Sequence, residues 1–354
     1  MSRSEVAVPM FALQRSGLWS YARGLFSSLE QANTSFHMRY LFNQNRLPFA
    51  KVKNTTDSFA HAIQELEQER FQGICHFPVG NRRLFPLKRA INITTVHDLA
   101  EYHLHGRFGW KHDVWLKNVL VPMLQHMDRV IAISEQTRRD LLQFAKVPDE
   151  KIRVVHNGVD TQRFSPASPE EIQRVRQEYL LPKAYWIVVA RLEHPVKNHA
   201  LVLKAYAMLK ARGIELPPLV FVGAQDIRAN QIFEMIQSLG LSEDVLWLDF
   251  IPLNDLIALL TGARASIFPS QFEGFGLPIL ESLACGTPVL CSNIPVFTEF
   301  IPKGTPVFDI HDPDDLAHCL QKNLSQPRAR VSLPDSFHWK DCARKTLQVY
   351  SEFV

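Results

Sequence analysis

Glu273-Gly274-Phe275-Gly276-Leu277-Pro278-Ile279-Leu280-Glu281 is the stretch on which the reading of this chain turns. An unalternated apolar run, Arg264–Phe268, precedes it and reads as a strand covered on both faces. Pro278 suits the first turn of a helix, where its missing N–H costs nothing. The segment is therefore a strand, a glycine-rich turn and a helix. Glu273 falls in the turn, and Glu281 falls inside the helix, roughly one turn past Pro278. The N–H groups at the helix start have no intrahelical partners and, with the helix dipole, favour an anion such as phosphate. The two carboxylates can accept hydrogen bonds from sugar and ribose hydroxyls. One short motif thus offers a phosphate cradle and hydroxyl acceptors together. Ser270 before it and Ala284-Cys285-Gly286-Thr287-Pro288 after it set the motif in an ordered surround.

Working outward, the same alternation recurs. Apolar, β-branched runs lie at Ile91–Val96, Arg129–Ile133, Ile152–Val155, Tyr185–Val189, Leu219–Gly223 and Val245–Leu248. Amphipathic helical patterns stand between runs of this kind: Gly17–Gln31 with Leu18, Tyr21, Ala22, Leu25 and Leu29 on one stripe, and Asn198–Ala211 with Leu201, Leu203, Ala207 and Leu209. Alternating strand and helix implies doubly wound parallel sheets, an α/β class. At 354 residues the chain holds two domains. His156-Asn157-Gly158-Val159-Asp160 and the Ser/Pro cluster after Phe164 mark the boundary. The expected division is an N-terminal Rossmann-like domain over 1–165, a C-terminal one over 166–336, and a final helix over 337–354 that packs back on the first.

A second constellation follows the run Tyr185–Val189: Arg191-Leu192-Glu193-His194-Pro195-Val196-Lys197-Asn198. Ligands bind at the carboxyl ends of strands in such sheets. Two cations placed there can neutralise a departing diphosphate, Arg191 bidentately and Lys197 as a point charge. Asn198 is placed to cap the helix that begins after it.

On these residues the chain resembles retaining glycosyltransferase family four, of the GT-B fold, whose mark is the Glu-x7-Glu spacing of Glu273 and Glu281. The resemblance is dense over 191–300, moderate over 96–164 and thin before that. It implies two Rossmann-like domains facing a central cleft. It implies that Glu273 holds donor-sugar hydroxyls, that Glu281 holds ribose hydroxyls, and that Arg191 and Lys197 grip the donor diphosphate. The backbone amides of Gly274, Phe275, Gly276 and Leu277 then contact sugar and phosphate. His97, in Thr95-Val96-His97-Asp98-Leu99, matches a histidine that faces the donor sugar. Gly17, in Arg15-Ser16-Gly17-Leu18-Trp19, matches one glycine of a glycine-rich diphosphate loop. The chain departs from the family there: Ser16 and Trp19 replace glycines, and Trp19 cannot fit where only glycine fits. The resemblance further implies hexosyl transfer, of mannosyl or glucosyl type, from a nucleotide diphosphate sugar to a glycan or lipid-linked acceptor in cell-surface polysaccharide synthesis. Configuration is retained, and no cofactor beyond the sugar nucleotide and no essential metal is expected. A nucleotide-sugar epimerase or hydrolase of the same shape, and a non-catalytic nucleotide-sugar-binding protein, are the rival readings.

Composition sets the outer bounds. With 46% hydrophobic and 21% charged residues the chain is globular rather than disordered. Residues 1–165 carry 22 Lys+Arg against 15 Asp+Glu, so the N-terminal half is basic and the remainder acidic. A basic half suits an anionic partner, including peripheral contact with a membrane at its inner face. Nucleic acid is not expected, because no basic run with interleaved aromatics occurs. Five cysteines without a CxxC pair point to a reducing, cytoplasmic setting rather than a disulfide framework. No apolar stretch approaches a membrane span. Asp312-Pro313-Asp314 reads formally as a DxD metal motif, but it stands ahead of the helical pattern 315–324, where a helix cap accounts for the acids. Neither GxGxxG nor GxxxxGK[ST] occurs, so a nicotinamide site and a P-loop are unsupported.

Overall fold

The structure is a computed structural model describing residues 4–10, 17–32, 34–42, 54–55, 59–80, 84–104, 109 and 114–354. The chain divides into two compact units: Met1–Gly158 with Ser336–Val354, and Val159–Asp335. The first boundary lies at Gly158 rather than at residue 165. Gly158 abuts the start of the last helix so closely that a Cβ there would sit 2.2 Å from the Trp339 backbone nitrogen. The chain is thereby tied to the first unit up to that glycine, and Phe164, buried, belongs to the second unit.

The first unit holds a seven-stranded parallel sheet. Its strands are β1 (Ser4–Met10), β2 (Phe36–Phe42), β3 (Asn54–Thr55), β4 (Ile74–Phe77), β5 (Ile91–Val96), β6 (Arg129–Ala132) and β7 (Ile152–Val154), in the order β3-β2-β1-β4-β5-β6-β7. The order reverses between β1 and β4. The helix Gly17–Gln31 buries Tyr21, Ala22, Leu25, Phe26 and Leu29, close to the stripe its spacing implies; Leu18 stays only partly covered.

The last helix, Trp339–Ser351, belongs to this unit and meets the helix Gly17–Gln31 at Gly24, where any Cβ would overlap the Trp339 indole at 2.0 Å. A buried polar chain joins it to the sheet. The Tyr350 hydroxyl lies 2.6 Å from His76 Nδ1, His76 Nε2 lies 2.8 Å from Thr95 Oγ1, and Thr95 Oγ1 lies 2.9 Å from the Tyr21 hydroxyl. Burial, and then the neighbouring His97, push the His76 imidazole down to about 3, so it is neutral and has one donor and one acceptor nitrogen.

The second unit holds a six-stranded parallel sheet: β8 (Trp186–Val189), β9 (Leu219–Val222), β10 (Val245–Leu248), β11 (Ala265–Phe268), β12 (Val289–Ser292) and β13 (Val307–Phe308), ordered β10-β9-β8-β11-β12-β13. Chain order runs outward from β8 to one side, then crosses to β11 and runs outward to the other. The reversal lies between β8 and β11, which pair directly at Ala265–Trp186 and Ser266–Ile187. All four residues of β9, β11 and β12 are buried, as continuous apolar strands between two helix layers should be. Strands β1, β2, β3, β4, β12 and β13 are additional to the runs quoted from the sequence.

Candidate functional site

In an open doubly wound sheet, a crevice forms at the carboxyl edge where the strand order reverses, because the loops leaving the two central strands diverge to opposite faces. In the second unit those strands are β8 and β11. Arg191 and Lys197 lie on the loop after β8, and Glu273 on the loop after β11. The two loops meet. Gln271 N–H donates to the Val196 carbonyl at 3.0 Å, and Lys197 Nζ donates to Glu273 Oε1 at 2.6 Å. Ser270, buried at the end of β11, donates its hydroxyl to the same oxygen at 2.8 Å, and its carbonyl accepts from Ser292 Oγ at 2.7 Å. The Lys197 and Glu273 side chains are 15% and 23% exposed. The pair is thus sheltered enough to be ordered yet open enough to exchange its partner for a ligand.

Backbone geometry fixes the turn between Glu273 and the helix Leu277–Ala284. Gly276 takes φ +117°, and a Cβ on it would meet Phe297 Cε1 at 2.8 Å and Phe300 Cζ at 3.2 Å. Only glycine fits both demands. Phe275 is buried and stacks on Phe300, centroids 4.8 Å apart, so its side chain anchors the turn in the core. Its contribution to any ligand is therefore confined to its backbone. The helix starts with Pro278 in its first turn and no side-chain cap, so its opening amides face outward from the turn carrying Gly274, Gly276 and Leu277.

Glu281 sits one turn into that helix, partly buried. Burial raises its carboxyl to about 7, and the Arg163 guanidinium offsets part of the rise. Arg163 comes from the segment joining the two units. Its place beside Glu281 is a tertiary result, with no signal in the local sequence beyond a basic residue before Phe164.

Arg191 is not a bare cation. Its guanidinium pairs with Asp226 and, at 3.3 Å, with the buried Glu193, while its side chain stays 55% exposed. Asn198 occupies the capping position of the helix His199–Ala211 without capping it: its backbone is left-handed at φ 49°, and its amide donates to the Ile310 carbonyl at 2.9 Å. Behind Lys197, His199 is buried edge-on to Phe221, centroids 4.9 Å apart. Burial, and then the adjacent Lys197, push it down to about 3, so it brings no second charge to the site.

Two expected residues lie in the first unit. His97 follows β5 and is buried, its ring edge-on to Tyr21 at 4.6 Å; its Nε2 donates to the Pro78 carbonyl at 2.8 Å. Gly17 is exposed at the start of its helix; a Cβ there would meet nothing within 4 Å, and its φ is not left-handed. Its being glycine is thus not demanded by the backbone, while Arg15 and Ser16 lie outside the described residues. The DxD-like acids are accounted for structurally. Asp312 caps the helix Pro313–Ser325, accepting from Asp314 N–H at 2.9 Å and Asp315 N–H at 3.4 Å.

Comparison with known proteins accords with this geometry. Residues 171–336 match the family model for glycosyl transferases group 1, and residues 13–163 match that for glycosyltransferase family 4. The O-antigen chain mannosyltransferase B of Escherichia coli is 28% identical over 278 residues, which cover 75% of this chain and 70% of that protein. The O-antigen chain mannosyltransferase RfbU of Salmonella typhimurium is 29% identical over 266 residues, 73% of this chain and 67% of that one. The serotype-specific mannosyltransferase WbdA of Escherichia coli is longer: its 29% identical match covers 57% of this chain and 25% of that protein. Among solved structures, HepE from Anabaena with UDP-glucose superposes with TM-score 0.75 at 16% identity, covering 99% of this chain and 100% of that one. Sucrose-phosphate synthase from Thermosynechococcus elongatus gives 0.74 at 19%, with 99% of each chain covered. At such identities these two likenesses speak to the fold.

Proposed function

The chain belongs to the family 4 glycosyltransferases and carries their GT-B fold, and on that premise we propose that it moves a hexosyl group, of mannosyl or glucosyl type, from a nucleotide diphosphate sugar to a hydroxyl of a glycan or lipid-linked acceptor, with retention. The observation that carries the donor assignment is the contact of Lys197 Nζ with Glu273 Oε1, 2.6 Å, where the second unit's strand order reverses. One cation and one carboxylate held together there match the two halves of the donor: a diphosphate, and a sugar rich in hydroxyls.

In this reading the ammonium of Lys197 turns to the diphosphate when the donor enters, and the hydroxyl of Ser270 keeps Glu273 oriented toward the sugar. Departure of the nucleoside diphosphate concentrates negative charge on phosphate oxygens. Lys197, Arg191 and the amides of Gly274, Phe275, Gly276 and Leu277 form a preorganised positive surround for that charge, where it is more effective than water because it needs no reorganisation. Arg191 reaches the phosphate by exchanging Asp226, an exposed and therefore weak pairing. Glu281 accepts from the ribose. No metal is assigned a step, since fixed cations and amides supply the counter-charge. The mannosyltransferase relatives support the hexosyl class and a role in surface polysaccharide synthesis. No helix among the described residues is long and apolar enough to cross a membrane; peripheral contact through the basic first half is part of the proposal.

The test is sugar transfer from a panel of nucleotide diphosphate hexoses, with and without acceptor glycans. Lys197→Ala should lower turnover by about 10²-fold or more with the fold intact. Turnover within a few-fold of the parent would remove the diphosphate role. Equal product without any acceptor would turn the reading to an epimerase or hydrolase.

A further inference from the structure

At the edge of the second sheet opposite the Lys197–Glu273 pair, across roughly 13 Å of a four-residue strand, three guanidinium groups converge. Arg264 stands directly before β11, and its N–H donates to the Tyr185 carbonyl at 2.8 Å, just ahead of β8. Arg176, from the helix Pro169–Glu178, donates through Nη2 to the carbonyls of Gly262 at 3.1 Å and Lys183 at 2.8 Å. Arg328 donates through Nη2 to the Thr261 carbonyl at 2.8 Å and through Nε to the Ala263 carbonyl at 2.7 Å. Arg176 and Arg328 therefore hold consecutive carbonyls, 261 to 263, and the third arginine begins at the next residue. Arg264 reaches the far side, donating through Nη2 to the carbonyls of Asn323, Leu324 at 2.9 Å and Gln326 at 2.8 Å. Arg330 extends the cluster outward and is exposed.

Part of this charge is structural. The carbonyls engaged lie at the ends of the helices Leu253–Gly262 and Pro313–Ser325, and each such terminus carries about half a negative charge. Two termini offset about one of four positive charges. No carboxylate among the described residues pairs with Arg176, Arg264, Arg328 or Arg330 within 4.0 Å. The Nε atoms of Arg176 and Arg264 are buried with no acceptor. Desolvation and then Arg330 hold the Arg328 guanidinium below its ordinary value; Tyr185 opposes them, and Arg176 and Arg264 add smaller depressions. Four guanidinium groups with no carboxylate partner among the described residues, Arg328 and Arg330 among them exposed, fit an oxyanion that takes several N–H groups at once.

We propose that Arg176, Arg264, Arg328 and Arg330 form a second anion site that binds a phosphate group, separate from the donor diphosphate site. The group comes either from a free phosphate or phosphomonoester or from an anionic lipid headgroup. Both present the same tetrahedral oxygens to guanidinium forks. The site lies away from the reacting end of the sheet, so its occupancy is regulatory or tethering rather than catalytic.

Inorganic phosphate is titrated calorimetrically into the full chain at constant ionic strength set with chloride, and vesicle sedimentation compares phosphatidic acid with phosphatidylcholine. Parent, Lys197→Ala, Arg328→Gln and Arg330→Gln proteins are measured. Arg330→Gln is the decisive variant, because that side chain holds no carbonyl of the fold. Saturable phosphate binding that survives in Lys197→Ala and weakens about tenfold or more in Arg330→Gln is expected for a free-phosphate site. Selective sedimentation with phosphatidic acid, lost in Arg330→Gln, identifies the headgroup as the source. Binding of neither probe, or binding equally strong in Arg330→Gln, overturns the proposal.

Discussion

Replacing Glu281 by glutamine isolates the electrostatic cost of the carboxylate assigned to the ribose. Burial lifts this carboxyl from its ordinary 4.5 to about 7. Between those values the folded protein holds a proton that the unfolded chain has released. Stability must therefore fall as pH rises through that window, at about 1.4 kcal/mol per pH unit. Across roughly 2.5 units the loss is about 3 kcal/mol, complete above pH 7, where both states are ionised. The glutamine side chain has the same shape and no charge. The variant should match the parent near pH 4.5 and exceed it by as much as about 3 kcal/mol at pH 8. In a unit of this size that is a difference in Tm on the order of 5–10 °C. Donor affinity should move the other way: hydroxyls donate to a carboxylate better than to an amide, so Glu281→Gln should bind nucleotide more weakly at pH 8. Below pH 7 the parent should lose affinity up to tenfold per unit as the carboxyl protonates. The assay pairs thermal unfolding across pH 4.5–8.5 with nucleotide calorimetry at the same points. A stability difference that does not depend on pH would refute the burial argument. Unchanged nucleotide affinity at pH 8 would refute the ribose assignment.

Other substitutions probe separate links. Gly276→Ala meets both a left-handed backbone and Phe297 at 2.8 Å, so a cost of about 2–4 kcal/mol and loss of nucleotide binding are expected; chemical denaturation and calorimetry read the two. Asp312→Ala removes a helix cap and should cost about 1 kcal/mol with kcat unchanged, whereas a collapse of activity would restore the metal reading of that motif. Tyr350→Phe leaves a buried imidazole nitrogen of His76 without its partner at 2.6 Å, predicting a loss of about 1–3 kcal/mol by denaturant unfolding, with nucleotide affinity untouched.

The parts legible in the sequence are those whose causes are local. β8, β9 and β11 are unbroken apolar runs because helices cover both faces, β10 is an apolar run only partly covered at the sheet edge, and the helix Gly17–Gln31 shows its stripe because only one face is buried. β4 is illegible for a physical reason. Ile74-Cys75-His76-Phe77 carries an imidazole in its middle, which is tolerated only because Tyr350, far along the chain, and Thr95 on β5 take both ring nitrogens. β2 is similar: Arg39 interrupts its apolar pattern and is held by Glu65 of the helix Phe59–Gln68 and by Glu69 in the turn just after it. β13, two residues long, is set by pairing with β12 rather than by composition. At the site, the Gly-Phe-Gly turn could be read because glycine reports backbone demands directly. Lys197 meeting Glu273 follows from strand order, which spacing alone leaves open. Arg163 beside Glu281, and the pairing of Arg191 with Asp226 and Glu193, depend on loops that converge only in the folded unit.

The central claim is that the crevice between β8 and β11 receives a pyrophosphate-linked sugar. A crystal structure of the protein soaked with a nucleoside diphosphate tests it most directly. The account predicts pyrophosphate oxygens within hydrogen-bond distance of Lys197 Nζ and of the amides at the start of the helix Leu277–Ala284, with Glu273 released from the lysine. A nucleotide bound elsewhere, with the Lys197–Glu273 contact still closed at 2.6 Å, would contradict it.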